Sequence, residues 1–92
     1  MNKASAEALA ADVLGWLAQD DERLMAFLGV TGADVGDLRS RATEPDFLGF
    51  LVDFLLQDET ALIDFCDTTN RPYDAPQRAR MLLPGGELPN WT

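Results

Sequence analysis

Residues 46–57 read as one helix that offers little of its circumference to water. At about 100° per residue, Asp46, Gly49, Asp53 and Gln57 share one narrow polar stripe. Phe47, Leu48, Phe50, Leu51, Val52, Phe54, Leu55 and Leu56 cover the rest, an arc of about 240°. A surface helix needs an apolar face of only about 100°. A chain carrying this segment must either surround it with neighbouring helices or leave one shoulder for another molecule. Central packing is the plainer reading. The alternative exposes Val52 with Leu48 or Leu56 as a dimer or partner face, which makes Leu48, Val52 and Leu56 candidate protein-binding residues.

The neighbours are written in a pattern that occurs twice. Shifted by 38 residues, Trp16-Leu17-Ala18-Gln19-Asp20-Asp21 aligns with Phe54-Leu55-Leu56-Gln57-Asp58-Glu59. Leu24 to Phe27 then aligns with Leu62 to Phe65, and Thr31-Gly32 with Thr69-Asn70. Six of the residues in 16–32 are identical to their counterparts, where composition alone would give about one. A period of this length suits helical units, and two copies suit a pseudo-symmetric bundle rather than a solenoid. Helical hairpins that converge on Leu, Asp and Phe at helical spacing would give a similar alignment.

Each unit reads as a long helix, a tight turn, and two shorter helices. The first helix spans about 4–18, with Leu9, Val13, Trp16 and Leu17 on one face. Asp20 is placed to cap the second helix, with Asp21 and Glu22 in the first turn where the helix dipole favours acids. Leu24, Phe27 and Leu28 form its buried face, and Gly29 is the expected left-handed stop. A third helix over about 34–42 exposes Arg39 and Arg41. In the second unit, Thr43 with Asp46 reads as a capping box and Pro45 suits the first turn. Asp58 caps the next helix, which carries Leu62, Ile63, Phe65 and Cys66, and Asn70 with Pro72 breaks it. Asp74 and Pro76 open a last helix that Pro84-Gly85-Gly86 stops. The expected fold is all-α: a compact bundle of five to six short helices, as two pseudo-symmetric three-helix units (about 4–42 and 43–83). Residues 1–86 form one domain, and residues 87–92 an extended tail.

The segments Phe27-Leu28-x-x-Thr31-Gly32, Pro45-Asp46-Phe47-Leu48, Asp53-Phe54-Leu55-Leu56-x-Asp58-Glu59 and Leu83-Pro84-Gly85 occur together. With them the whole chain resembles a domain-of-unknown-function family of small helical bacterial proteins. That resemblance implies a compact helical fold and brings no catalytic residues.

Composition narrows the function classes. Sixteen acids against seven cations give a net charge of −9, with no histidine and one cysteine. No basic stripe exists to neutralise phosphates, so nucleic acid is not an expected partner, and anionic lipid is disfavoured for the same reason. The longest apolar stretch, residues 47–56, is interrupted by Gly49 and Asp53 and is shorter than the roughly 18 residues that cross a bilayer. A soluble, cytoplasmic protein is expected, and the lone Cys66 fits a reducing compartment. No phosphate loop, nucleophile elbow or metal-ligand spacing occurs, so no cofactor and no enzymatic activity are expected. Asp53 reads as a solvated stripe residue, Asp20-Asp21-Glu22 and Asp58-Glu59 as caps, and Cys66 as core. The arginines at 39, 41, 71, 78 and 80 read as partners for surplus carboxylates. In the tail, Leu88 and Trp91 form either a docking motif or a cover for the bundle. The function expected is a protein-interaction module, self-associating or binding an unknown protein partner. The alternatives are an acidic decoy for a basic partner, or a small ligand binder or enzyme using carboxylates and arginines.

Overall fold

A computed structural model describes residues 1–32, 34–42 and 44–83, with only the backbone described for Val35 and Arg39. Among the described residues the chain forms six helices and no strand. They are α1 (Lys3–Ala18), α2 (Asp21–Thr31), α3 (Val35–Arg41), α4 (Pro45–Leu56), α5 (Glu59–Thr69) and α6 (Ala75–Leu82). The protein is an all-α bundle.

Local chemistry explains the boundaries. The Asn2 side chain accepts from the Ser5 N–H and starts α1. Asp20 accepts from the N–H groups of Glu22 and Arg23, and Asp58 from that of Ala61, so both carboxylates satisfy donors that a helix start leaves open. Asp34 and Asp37 form a reciprocal capping box at α3.

Two expected boundaries differ. Gly29 lies inside α2, and the left-handed stop is Gly32, at φ 73°, whose N–H bonds to the Leu28 carbonyl. The helix runs on past Gly29 because Thr31 stays in helical geometry, its hydroxyl donating to the Phe27 carbonyl at 3.0 Å. The N-cap of α4 is Glu44, with Pro45 as the first helical residue and no side-chain capping bond. Thr43, expected to cap that helix, lies outside the described residues.

The 38-residue correspondence extends to these details. The helix pairs α1/α4 and α2/α5 end 38 residues apart, and Asn70 at φ 59° takes the left-handed position of Gly32. Thr69 donates to the Phe65 carbonyl as Thr31 does to that of Phe27. The second helix of each unit packs an aromatic ring against the first helix of the other. Phe27 meets Phe54 edge to face at 5.2 Å, and Phe65 meets Trp16 at 5.8 Å. The third helices break the pattern: α6 packs across both α1 and α4, whereas α3 has no comparable helix–helix packing.

That asymmetry decides the surroundings of α4. Phe47, Leu48, Gly49, Leu51, Val52 and Leu55 are all buried in it. They join Leu9, Val13, Trp16 and Leu17 of α1, Phe27 of α2, Phe65 and Cys66 of α5, and Ala79 of α6 in one core. The shoulder formed by Leu48 and Val52 is therefore core rather than a surface, in a helix on which both α1 and α6 pack. Arg80 of α6 pairs with Asp53 through two hydrogen bonds, one of 3.0 Å. Asp53 is thus an ion-pair partner that keeps 40% of its side chain exposed.

Val52 has no exposed area and Phe50 is 53% exposed. Val52→Asp is expected to lower unfolding free energy by more than about 4 kcal/mol, by burying an unpaired carboxylate. Phe50→Asp is expected to stay within about 1 kcal/mol. Urea denaturation of both variants checks the contrast, and equal losses would contradict this placement of α4.

Candidate functional site

The apolar side chain that α4 does present to solvent is Phe50. It lies beside the C-terminal turn of α2, where Val30 is 72% exposed. The two residues share two adjoining depressions. One, about 310 Å³, is lined by Val30, Thr31, Arg41, Phe47 and Phe50. The other, about 260 Å³, continues past Val30, Thr31 and Phe50 to Phe27, Asp53, Phe54 and Gln57. Its rims are already neutralised in pairs. Arg41 lies 5.0 Å from the centre of the Phe47 ring and bonds Glu44 at 3.1 Å, while Asp53 is held by Arg80.

This groove has a counterpart. Between α1 and α5 a wider, open groove of about 590 Å³ is lined chiefly by Asp12, Gly15, Trp16, Gln19, Thr68, Thr69 and Arg71. Moved by 38 positions, Asp12 falls on Phe50, Trp16 on Phe54, Gln19 on Gln57, Thr68 on Val30 and Thr69 on Thr31. The two grooves occupy matching places between matching helices and differ in chemistry. In the polar one Arg71 bonds Asp12 at 2.8 Å across the groove and stacks 5.7 Å from the Phe65 ring centre. In the apolar one Val30 and Phe50 face solvent.

A third depression, about 300 Å³, brings carboxylates of both units together: Asp20, Glu22 and Asp58, beside Arg23, Ala26, Phe54 and Ala61. Two of its acids are occupied as helix caps. Arg23 is held by Asp64 at 3.2 Å and lies 4.6 Å over the Trp16 ring. Trp16 donates its indole N–H to the same Asp64 at 3.0 Å. Among the described residues no cluster of acids and cysteine has the arrangement of a metal site.

Of the residues singled out from sequence, Leu48 and Val52 are core, and Leu56 is half-buried against the core. Leu88 and Trp91 lie outside the described residues. Val30 and Phe50 were not singled out, although the sequence carried a signal. In the 38-residue register they stand opposite Thr68 and Asp12, an apolar-for-polar exchange at two surface positions.

Residues 3–86 match the family described as "Protein of unknown function (DUF3572)". The chain belongs to the DUF3572 family. The match begins where α1 begins and takes in all six helices and both grooves, leaving Leu88 and Trp91 beyond its end. No curated protein and no solved structure matches the chain. The family carries no assigned activity, so function rests on the geometry of this domain. No described helix is long and apolar enough to cross a membrane.

Cys66 faces the core without exposed area, and burial pushes its thiol above the ordinary value, with Asp67 adding to the rise. A raised folded-state value means the thiol form is favoured by folding. Its stabilising contribution is complete below the unfolded-state value near 9.0 and is lost as pH rises beyond it. Stability is therefore expected to fall above about pH 9 more steeply in the wild type than in Cys66→Ala. Native alkylation of Cys66 by iodoacetamide is expected to be no faster than global unfolding. Urea titrations at several pH values and a timed labelling series check the two statements.

Proposed function

We propose that this DUF3572 protein is a protein-interaction module whose docking surface is the apolar groove between α2 and α4. The observation that carries this reading is the contrast between matching grooves. The same helix pairing is built twice, one copy lined by Asp12, Thr68 and an Arg71 ion pair, the other by Phe50, Val30 and the edges of Phe47 and Phe54. Scattered exposed hydrophobes need no explanation. Two that share a concave surface with the partly buried Phe54 ring favour an apolar occupant. The expected occupant is a helix of a partner protein laid in the groove with its apolar side inward, a common mode of peptide recognition. Chemistry on a substrate has less support, since the acids that converge from both units are engaged in capping.

Site-specific photocrosslinking tests this. With benzoylphenylalanine in place of Phe50, irradiation of cells producing the protein is expected to yield a discrete adduct, with the partner's crosslinked segment identified by mass spectrometry. The same probe at Asp12 in the polar groove is expected to give none. Adducts of equal yield at both positions, or none at position 50, would overturn the reading. An adduct between two copies of the chain would replace the partner by self-association, which sedimentation at micromolar concentration would register.

A further inference from the structure

Accepting the apolar groove as the docking surface, we infer that its occupant is an amphipathic helix carrying lysine or arginine at one end only. The groove does not stop at Phe54. That ring lines both the apolar depression and the acidic one, so the acidic depression adjoins the apolar groove at Phe54, and the three together make up the occupant's trough. One wall is a stripe of α2: Val30, Ala26 and Glu22, four residues apart, about 12 Å long at the helical rise. The other wall is Phe47, Phe50 and Phe54 of α4, followed by Gln57 and Asp58. Apolar anchors one turn apart on a docked helix, at i, i+3 or i+4, and i+7, span about 10 Å. The trough takes that span from Val30 to Glu22, its apolar part, Val30 to Ala26 and Phe50 to Phe54, being about 6 Å long on each wall.

Charge then orients the occupant. The apolar end is close to neutral, because Arg41 is matched by Glu44 and Asp53 by Arg80. The opposite end gathers Asp20, Glu22 and Asp58. The one cation lining it, Arg23, lies 3.7 Å from Asp20 and 3.2 Å from Asp64, so Glu22 and Asp58 carry the excess negative charge of this end. The excess of carboxylates at this end would repel an acidic helix terminus and attract a basic one. A chain of net charge −9 also draws a cationic segment from a distance. An occupant that is apolar along its docked face and basic at the Glu22 end satisfies both parts of the trough.

The test uses the full chain and two synthetic helical peptides of about 14 residues. Both carry leucines at i, i+3, i+7, and they differ only in a terminal triplet of lysine or glutamate. Fluorescence anisotropy is read at about 50 and 500 mM salt. The lysine peptide is expected to bind at least about tenfold tighter at low salt, with the gap closing at high salt. Glu22→Lys narrows the gap, Phe50→Asp removes binding of both peptides, and Asp12→Ala changes nothing. Equal, Phe50-dependent binding of both peptides would overturn the charge assignment and leave the apolar groove standing. No binding of either peptide, or binding indifferent to Phe50→Asp, would overturn the assignment and remove its support from the groove.

Discussion

Everything in this fold is arranged around the burial of α4. A twelve-residue helix with eight large apolar side chains is intolerable at a surface and has to be enclosed from several directions. α1 lies along it, the Phe27 ring enters from α2, α5 packs behind it, and α6 closes the last side through Ala79 and the Arg80–Asp53 pair. A 92-residue chain has little surplus core, and this one spends most of it on that enclosure. The consequence is that α4 reaches solvent chiefly where a neighbour is missing, at Phe50, and that position faces the end of α2.

The crossing of second helices onto opposite first helices gives the fold its two grooves. The two units are joined mainly by α1 lying along α4 and α6 packing across both. The Phe27–Phe54 and Phe65–Trp16 contacts add a ring pair to each crossing. Each crossing leaves a furrow between helices, and the residues that line its mouth contribute little to the core. Such positions can change polarity at small cost in stability, so the two furrows were free to take different chemistry while the aromatic pairs beneath them stayed alike.

How far the sequence revealed this differs from element to element. Helix starts were readable because Asp20, Asp34 and Asp58 act locally, each on amides within its own first turn. The left-handed stop at Asn70 was readable for the same reason. Gly29 misled because glycine is permitted but not compelled to end a helix, and the choice fell to Thr31 and Gly32 further on. The surroundings of Leu48 and Val52 could not be read from periodicity at all. The helical wheel shows how much of α4 is apolar, but which arc is left open depends on where α6 lands. That placement rests on long-range packing of Ala75, Pro76, Ala79 and Leu83 on α1 and α4, with the Arg80–Asp53 pair beside it, and no local pattern specifies it. Central packing, the plainer reading of the wheel, is what α4 has, and the shoulder of Leu48 and Val52 is core, while the arc left open lies at Phe50.

The counterpart groove supplies the strongest physical ground for treating Phe50 and Val30 as more than incidental. Within one chain, the same backbone setting is solved once with a carboxylate, a hydroxyl and an arginine, and once with a phenyl ring and a valine. The polar solution shows that the fold does not require hydrophobes at this position, since Trp16 and Phe65 meet beneath a mouth that carries Asp12 and Thr68. Val30 is 72% and Phe50 53% exposed, so more than half of the burial each could gain is unrealised in the isolated domain. Burying both rims under an apolar helix would recover it, at roughly 1.5–3 kcal/mol for each fully covered side chain. The acids at the far end of the trough add direction to that attraction without weakening it, because they sit beyond the apolar run rather than within it.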